Sequence, residues 1–478
     1  MNQSGDGQIE SRRAYAGGPD GARHAPHLMT EGVIWKRMLL FAVPLILGNL
    51  LQQMYNTVDS IIVGNYVGSN ALAAVGSSAS LINLLIAFSM GASAGAGVVI
   101  AQFYGAQNEQ GVRSSVHTAV AIAVILGAVL SLAGVLFSPQ ILIWMGTPAE
   151  VMSQSVRYLR LYSMGLIFNV IYNMCAGIVN AVGNSRRSLL YLAVASVTNI
   201  FLDLVLVEGL ALGVAGAAIA TDISQCLAMV LILVHLLRVK DSYRVRFHEI
   251  RLQRQMALRI IRIGLPTGIQ NMVISFSNVL VQSSVNSFGP AAMAGFGAYV
   301  KIDGFNILPV MSLSMAATTF TGQNFGAGKI DRVKRGMWVT LAMCLVYTIF
   351  IGVVLVLFSR NILGVFTKDS EVVAYGMLAM RYFCPFYFVL SILHGLAGTV
   401  RGTGETVAPM LILLGSMCLF RIVWLQTVFR IWPTLDTVFL LYPVSWAVGA
   451  VVMILYTWKG KWLTKYARKS VVDARSGG

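Results

Sequence analysis

The sequence predicts an all-α integral membrane protein with twelve transmembrane helices, arranged as two six-helix lobes. Three observations predict this fold class: an apolar composition, twelve long apolar stretches, and an internal repeat that relates the two halves. Of the 478 residues, 56% are hydrophobic and only 11% are charged. Soluble domains carry about 25% charged residues. Together with a mean hydropathy of +0.72, this excludes a soluble multidomain enzyme, because so much apolar surface has to face lipid.

Each apolar stretch is long enough to cross the hydrocarbon core, which takes about 20 helical residues. In the first half the predicted spans are 38–63, 78–103, 116–137, 156–180, 189–207 and 211–237. In the second half they are 260–286, 300–324, 337–358, 375–400, 407–429 and 436–457. The predicted organisation is a disordered tail (1–35), a first lobe (36–237), a basic linker (238–259), a second lobe (260–458) and a basic tail (459–478).

The basic residues mark one face of the membrane. The net charge is +16, and 27 of the 35 Lys and Arg residues lie in the two tails or in alternate connections between spans. The opposite connections include 65–75, 208–212 and 287–298, none of which contains Lys or Arg. By the positive-inside rule, both termini and the linker are cytoplasmic in a multi-pass plasma-membrane protein. Basic residues distributed in this way indicate no nucleic-acid partner.

The two halves repeat each other at a nearly constant separation along the chain. The Gln102-Phe-Tyr-Gly-Ala sequence that ends span two recurs as Gln323-Asn-Phe-Gly-Ala at the end of span eight. Near the start of each half the separation is one residue longer, so that Pro44 recurs as Pro266. Because each half holds six spans, both halves enter and leave on the same face. Parallel repeats of this kind are typical of transporters whose two lobes rock about a central site.

Polar side chains recur on one face of spans one and seven. Amide and hydroxyl groups follow each other at steps of three and four residues, which places them on one side of a helix. The members are Asn49, Gln53 and Asn56 in span one, and Asn271, Ser275, Asn278 and Gln282 in span seven. Any one of them alone is explained by hydrogen bonding between helices. Two equivalent stripes are predicted to face each other across the cleft and to line a substrate cavity.

Four of the nineteen acidic residues fall well within a span: Asp59, Asp203, Asp222 and Asp303. A charged side chain at the bilayer centre costs about 2.5–3.5 kcal/mol on insertion scales, so such residues usually mark an ion or substrate path. Asp59 and Asp203 are the first candidates, and Asn199 lies one turn before Asp203. Asp222 is a possible additional carboxyl of this path, and the sequence does not assign it a role. Asp303 lies close to Lys301 near a span end, where an interfacial ion pair is the simpler account.

No motif for catalysis or nucleotide binding is present. The stretch Gly91–Gly97 resembles a phosphate loop, but no Lys-Ser/Thr pair follows, and close helix packing through small residues explains it. The five cysteines and six histidines show no metal-ligand spacing. Neither an enzyme nor an ATP-driven pump is expected, and no cofactor beyond a coupling ion.

Residues 36–458 resemble the multidrug and toxic compound extrusion (MATE) family of efflux transporters. The resemblance is carried by Val58-Asp-Ser60, by the two QxxGA endings, by Asn199-Ile-Phe-Leu-Asp203 and by the turn at 181–185. It implies a V-shaped pair of lobes that exports cationic, amphipathic drugs in exchange for H+ or Na+. It also implies a bend at Pro44 and a cation site formed by Asp59, Asn173, Asn199, Asp203 and Thr221.

Two departures from the family pattern affect the coupling site. Asp222 stands where an apolar residue is expected, and span seven offers only Gln, Asn and Ser where some members carry an acid. Span ten, where some members carry another acid, has Arg381. Coupling is therefore expected to run through the first lobe.

One alternative function is a flippase for lipid-linked precursors, which has a related duplicated architecture. A flippase for anionic headgroups requires several basic side chains in its cavity. The spans contain few of them: Arg381 and Arg421, with Arg157, Arg160 and Lys301 near span ends. The expected partners are therefore small cationic organic substrates and membrane lipid, and the expected state is a monomer.

Overall fold

The computed structural model describes residues 28–460, 462 and 463, and this part of the chain is helical without strands. In the first half the long helices are α1 (Ile34–Tyr66), α2 (Ser69–Gly105), α3 (Glu109–Trp144), α4 (Ala149–Ala181), α5 (Ser185–Gly209) and α6 (Val214–Arg238). In the second half they are α7 (Arg254–Asn286), α8 (Pro290–Gly326), α9 (Ile330–Leu357), α10 (Ser370–Gly402), α11 (Val407–Ile431) and α12 (Leu435–Trp458). The predicted twelve-helix fold is confirmed.

Ten of these helices are long and apolar enough to cross a membrane. The other two, α7 and α8, are more polar but have 33 and 37 residues, the lengths of α1 and α2. The repeat pairs α1 with α7 and α2 with α8. Because α7 and α8 have the same lengths as their counterparts α1 and α2, we assign them as membrane spans as well, which gives six spans in each half.

Three helices contain irregular turns. The last part of α5, Leu204–Gly209, is a π-helix. A 3-10 turn, Cys384–Phe386, interrupts α10 at Pro385, and a second π-helical turn, Gly415–Leu419, lies within α11. Proline cannot donate the backbone hydrogen bond of a regular helix, and π-helical turns occur frequently at functional sites.

The repeat is visible in the backbone of the turns. Gly68 and Gly289 have φ of 111° and 98°, and Gly183 and Gly404 have φ of 91° and 92°. The members of each pair stand as far apart along the chain as Gln102 and Gln323 do. Left-handed backbone of this kind is readily adopted only by glycine, so these turns fix glycine at equivalent places in both halves.

The repeat also extends to single hydrogen bonds. The Ser93 Oγ donates to the Asn173 carbonyl at 2.7 Å, and the Ser314 Oγ donates to the His394 carbonyl at 2.7 Å. Donor and acceptor are both displaced by the separation of the repeat. The contact of α2 with α4 and that of α8 with α10 therefore share this hydrogen bond.

The lobes meet along the end of the bundle where the basic residues cluster, which we call the basic face. There α1 packs against α8 through a shared apolar cluster that includes Met38, Phe41 and Phe320. Helix α2 packs against α7. The small-residue stretch Gly91–Gly97 lies in this contact, where a Cβ on Gly91 would be 2.6 Å from the Gly268 backbone. The predicted close packing through small residues is thus confirmed.

Two glutamines join the lobes at the basic face. The Gln102 Nε2 donates to the Gly402 carbonyl at 3.0 Å, and the Gln323 Nε2 donates to the Ala181 carbonyl at 2.8 Å. The two glutamines are equivalent positions of the repeat, but each bond crosses from one lobe to the other. We call this pair the glutamine clasp, and it closes the basic face in the structure.

The linker between the lobes is docked onto α3. The Glu249 carboxylate accepts hydrogen bonds from the Arg113 guanidinium and, at 3.2 Å, from Arg246. The bonds from Arg113 lower the pKa of Glu249 to about 2. The His117 Nε2 accepts the Arg246 backbone N–H at 3.0 Å. Part of the predicted linker (238–259) is helical, because α7 already begins at Arg254.

The predicted disordered tail (1–35) lies outside the described residues as far as His27. Its last part is ordered, which corrects the prediction there. Met29 is 2% exposed, its N–H donates to the Gln323 Oε1 at 2.8 Å, and α1 begins at Ile34. Of the predicted C-terminal tail (459–478), only residues 459, 460, 462 and 463 are described, and the rest lies outside the described residues.

Candidate functional site

Two acidic side chains are buried in the first lobe. Asp59 lies in α1 and is 8% exposed, and Asp203 lies in α5 and is fully buried. The Asp59 Oδ1 and both carboxylate oxygens of Asp203 have no hydrogen-bond partner among the described residues. More than nine in ten buried polar groups in proteins are hydrogen-bonded, so three such oxygens in one place fit a site for an electropositive ligand.

The two carboxyls belong to one site. They lie within electrostatic range of each other. The hydroxyls of Tyr55 and Tyr158 lie within electrostatic range of both. The Tyr55 hydroxyl also accepts a hydrogen bond from the Gln225 Nε2 at 3.3 Å. Helices α1, α4, α5 and α6 therefore all contribute polar groups to this region.

Asn199 extends the site along α5. It precedes Asp203 by four residues, which places both side chains on one face of the helix. Asn199 is 1% exposed, and neither its amide nitrogen nor its amide oxygen has a hydrogen-bond partner among the described residues. The π-helical end of α5 begins immediately after Asp203. The predicted residues Asp59, Asn199 and Asp203 thus form a buried group at an irregular turn.

The other two predicted cation-site residues lie on adjacent helices. The Asn173 amide donates to the Asn169 side chain at 2.8 Å within α4. Thr221 is buried in α6, which packs against both α4 and α5. In the described part of the chain no hydrogen bond joins Asn173 or Thr221 to either carboxyl. Their assignment to the cation site stays a prediction.

Asp222 faces a different direction from its neighbour Thr221. Its carboxylate lies against the backbone of Gly165 in α4, where a Cβ on the glycine would be 2.0 Å from the Asp222 Oδ1. Asp222 is within electrostatic range of Tyr158 and Tyr162. These rings lie close to both Asp222 and Asp59, so Asp222 borders the site.

The polar stripes of α1 and α7 are not buried. The exposed members are Asn56, Ser275 and Asn278, and the half-buried members are Asn49, Gln53, Asn271 and Gln282. Exposure agrees with a cavity lining better than with buried links between helices. Whether substrate contacts these residues stays a prediction.

Two stripe residues also form structural bonds. The Asn49 Nδ2 donates to the Ser312 Oγ at 3.2 Å and so joins the lobes. The Asn278 Oδ1 accepts a hydrogen bond from the Arg421 Nη1 at 2.9 Å. Arg421 is 2% exposed, donates to the Ser445 Oγ at 3.2 Å and lies 4.3 Å from the centre of the Tyr442 ring.

Pro44 lies inside α1, where it is buried. Proline removes one backbone hydrogen bond and so weakens the helix locally. Three residues earlier, the Phe41 carbonyl accepts a hydrogen bond from the Ser185 Oγ of α5 at 2.7 Å. The first half of α1 is therefore fixed to α5, while its second half carries Asp59. This arrangement agrees with the predicted hinge at Pro44, which stays a prediction.

Sequence reasoning missed two groups of the site for which the sequence carried a signal. Tyr55 precedes Asp59 by four residues, and Gln225 follows Thr221 by four, so helical spacing places each on the face of a predicted residue. Tyr158 could not be found in this way, because it reaches the carboxyls only through the packing of α4.

The ion pair expected between Lys301 and Asp303 is not formed, which corrects that interpretation. Lys301 is exposed, whereas Asp303 is half-buried. Residues two apart on a helix point about 200° away from each other, so these side chains leave α8 on opposite sides. The carboxyl of Asp303 lies near the hydroxyls of Tyr299 and Tyr387 instead.

Comparison with known proteins identifies the family. The sequence pattern of the MatE family matches the chain twice, over residues 44–205 and 266–425. This chain belongs to the MATE family of efflux transporters. The two matched segments begin at Pro44 and Pro266, and so coincide with the two halves of the internal repeat.

Relatives and solved structures agree with this assignment. "Probable multidrug resistance protein YoeA" of Bacillus subtilis is 30% identical over 464 residues, or 90% of this chain and 96% of its own length. "Probable multidrug resistance protein NorM" of Thermotoga maritima is 27% identical over 81% of this chain and 84% of its own length. A structure of a multidrug resistance MATE family transporter in an outward-facing conformation shares the fold. Its TM-score is 0.85 at 22% identity, and it covers 91% of this chain and 98% of that chain.

Proposed function

We propose that this protein is a secondary active antiporter that exports cationic, amphipathic organic compounds in exchange for H+ or Na+. The main observation in support of this proposal is the buried pair Asp59 and Asp203. The Asp59 Oδ1 and both Asp203 carboxylate oxygens lack hydrogen-bond partners among the described residues. A charge in the membrane interior is costly unless it serves an ion or substrate path. The relatives, which are named as multidrug resistance proteins, support the choice of cargo.

The coupling step follows from the electrostatics of the pair. When both carboxyls are ionised, they repel each other in a medium of low dielectric constant and attract a cation. Binding of a proton or Na+ removes this repulsion. Because Asp59 lies in α1 and Asp203 in α5, the two ionisation states favour different distances between these helices. Pro44 is the point at which α1 can bend to meet that difference.

Alternating access requires the two faces to open in turn. In the structure the glutamine clasp and the contact of α2 with α7 close the basic face, while the stripes of α1 and α7 are exposed or half-buried. By the positive-inside rule the basic face is cytoplasmic and the protein lies in the plasma membrane. Substrate then enters after the clasp opens and leaves at the opposite face. We propose that a monomer completes this cycle.

The flippase alternative has less support in the arrangement of basic groups. Arg160, Lys301 and Arg381 are exposed, and Arg421 is the basic residue of the described spans that is almost fully buried. Its guanidinium already donates to Asn278 and Ser445. Two buried acids in one lobe and one Arg already hydrogen-bonded in the other favour cationic cargo over an anionic headgroup.

The test is transport of a cationic dye such as ethidium into inside-out vesicles that contain the full chain. An imposed proton or sodium gradient should drive dye accumulation by the unaltered protein, and Asp203→Asn should abolish it while the variant still inserts. The matched control is Asp331→Asn, which removes an exposed acid at the basic face and should transport normally. Undiminished gradient-driven uptake by Asp203→Asn would contradict the proposal. Comparing the two gradients identifies the coupling ion.

A further inference from the structure

We infer that Asp303 in α8 is a second proton-exchanging carboxyl, located in the second lobe and separate from the pair in the first. This inference rests on the antiport proposed above and adds to it, because the sequence predicts coupling through the first lobe alone. It starts from the inward orientation of Asp303, for which neither the coupling site nor the stripes account.

The surroundings of Asp303 are built from hydroxyl groups. The hydroxyls of Tyr299, one turn earlier in α8, and of Tyr387 in α10 lie close to its carboxyl. These two hydroxyls are 3.1 Å apart. The Asp303 Oδ1 is shielded from solvent and has no hydrogen-bond partner among the described residues. The Asp303 Oδ1 is thus available to hold a proton. The two tyrosine hydroxyls are the polar groups beside the carboxyl.

The charged and titratable groups around Asp303 leave its charge uncompensated. On its own helix and on α9, α10 and α12 these groups are Tyr299, Tyr347, Cys384, Tyr387 and Tyr442. Among the described residues no Lys or Arg forms an ion pair with Asp303. Arg421 lies beyond the Tyr442 ring and donates to Asn278 and Ser445 instead. An ionised Asp303 is stabilised only by phenolic hydroxyls, so a proton is the natural counter-charge.

The packing of the site selects a small ligand. Tyr387 is 1% exposed and Tyr299 is 4% exposed. The Tyr299 ring lies 4.7 Å from the Phe383 ring, between centroids, in a continuous aromatic cluster. A drug-sized cation does not fit between side chains packed in this way, whereas a proton requires no additional volume.

The site also adjoins a break in a helix. Tyr387 is the residue directly after the 3-10 turn Cys384–Phe386 of α10. An ionised Asp303 can only accept hydrogen bonds, and each tyrosine hydroxyl has one proton to donate either to the carboxyl or to the other hydroxyl, 3.1 Å away. A protonated Asp303, having taken its proton from water, becomes a donor, so the two hydroxyls have to rearrange. When Asp303 gains or loses a proton, the hydrogen bonding of Tyr387 therefore changes next to the irregular turn of α10.

The first measurement is the number of protons exchanged per substrate. The full-length protein is reconstituted in liposomes, and the proton gradient that balances a fixed ethidium gradient is determined. Asp303→Asn should keep gradient-driven transport but exchange one proton fewer per dye molecule, and Asp303→Glu should restore the count. The matched control, Asp436→Asn, removes an exposed acid of the same lobe that is bonded to Tyr382, and should keep the count.

The second measurement does not require transport. In infrared difference spectra of the purified protein between acidic and alkaline pH, protonated carboxyl groups give a C=O band. Asp303→Asn should remove one component of this band, and Tyr387→Phe should move the pH at which that component appears. A purely structural role would leave the band unchanged.

Three outcomes overturn the inference. The first is a wild-type proton count together with an unchanged carboxyl band in Asp303→Asn. The second is a band component that persists unshifted in Tyr387→Phe, which decides the matter if Asp303→Asn fails to fold. The third is that Asp303→Asn keeps the wild-type proton count and instead loses a dependence of transport on sodium. Failure of the proposed function itself is distinct, because then the unaltered protein shows no gradient-driven dye transport.

Discussion

The two lobes of this transporter have the same scaffold but different buried charges. The bond from Ser93 to the Asn173 carbonyl recurs as the bond from Ser314 to the His394 carbonyl, with the same length. At this position the backbone bond is retained while the side chain changes from amide to imidazole. Because the acceptor in each bond is a backbone carbonyl, the bond forms whatever side chain the accepting residue carries. The charged site is therefore free to differ between lobes.

The difference concerns the kind of charge that each lobe buries. Within its membrane spans the first lobe buries Asp59 and Asp203 with Asn199, whereas the spans of the second lobe bury Arg421 and half-bury Asp303. A symmetric scaffold with asymmetric charge has a clear consequence. Changes to shared scaffold bonds should act alike in both lobes, and changes to charge should act in one.

The largest expected effect comes from breaking the shared interface at a glycine. A Cβ on Gly105 would be 1.9 Å from the Gln323 carbonyl oxygen, and a Cβ on Gly326 would be 1.9 Å from that of Gln102. Overpacking typically costs about 1–3 kcal/mol, which corresponds to about a 5- to 150-fold change in an equilibrium. Gly105→Leu should therefore shift the protein away from the arrangement closed at the basic face, and Gly326→Leu should do the same.

The measurement is the distance between spin labels placed at Glu109 and Asp331, in a background without the native cysteines. Both positions are exposed, and they follow the clasp glutamines by seven and eight residues. The control is Gly297→Leu, because no atom lies within 4 Å of a Cβ at Gly297. If the label distances in Gly105→Leu match those of the control, the contact does not hold the basic face closed.

The next effect tests whether the two halves of the glutamine clasp are equivalent. Each glutamine donates to a carbonyl of the other lobe, and each accepts a second bond, from Arg259 at 3.1 Å for Gln102 and from the Met29 N–H at 2.8 Å for Gln323. Leaving buried partners unsatisfied costs about 1–3 kcal/mol. Gln102→Ala and Gln323→Ala should therefore lower the Tm in detergent by similar amounts. A shift more than twice as large in one of them would show that the lobes do not share the clasp equally.

Much of this architecture could be predicted from the sequence because it depends on local pattern. Apolar length gives the helices, and recurrence of motifs such as QxxGA gives the two lobes. Their position inside apolar spans predicts that Asp59 and Asp203 are buried, as the structure has them. Helical spacing also correctly places Asn199 on the face of Asp203. These features require only the periodicity of a helix and the cost of charge in lipid.

The features that could not be predicted depend on contacts between distant segments. Tyr158 approaches the carboxyls only because α4 packs beside them, and Glu249 meets Arg113 across 136 residues of sequence. The predicted ion pair of Asp303 is wrong because Lys301 is close only in sequence, and the two side chains point away from each other on α8. Proximity along a helix therefore indicates a contact only at the spacings that share a face.

A smaller effect separates two hydrogen bonds made by equivalent hydroxyls. The Ser185 Oγ donates to the Phe41 carbonyl at 2.7 Å. The equivalent hydroxyl, the Thr406 Oγ1, lies 3.5 Å from the carbonyl of Arg262, one residue before the position that corresponds to Phe41. A typical hydrogen bond contributes about 0.5–1.5 kcal/mol, and one at the distance limit contributes little. Ser185→Ala should lower the Tm measurably, and Thr406→Val should lower it less. An equal or larger loss in Thr406→Val would contradict this ranking.

The smallest effect concerns the segments that precede α1 and α7, each of which docks on the lobe that it does not enter. Residues 29–32 are held against the second lobe by Lys329 and Arg332, which donate to the backbone carbonyls of Thr30 and Gly32 at 3.0 and 2.8 Å. The linker is held against the first lobe through the Glu249 carboxylate. Backbone carbonyls do not titrate, whereas a carboxylate does. Acid should therefore loosen the linker and leave residues 29–32 in place.

The hydrogen bonds from Arg113 depress the pKa of Glu249 from 4.5 to about 2. A depressed pKa means that the docked state favours the ionised form, so docking is fully supported above pH 4.5 and is lost as the pH falls toward 2. Amide hydrogen exchange, corrected for intrinsic rates, should show loss of protection at Glu249 over this interval, because its N–H donates to the Arg246 carbonyl, which does not titrate. Glu249→Gln should expose the linker at neutral pH, whereas Glu109→Gln, an exposed acid in α3, should not. If protection at position 249 falls equally in both variants, the carboxylate does not distinguish the two docking segments.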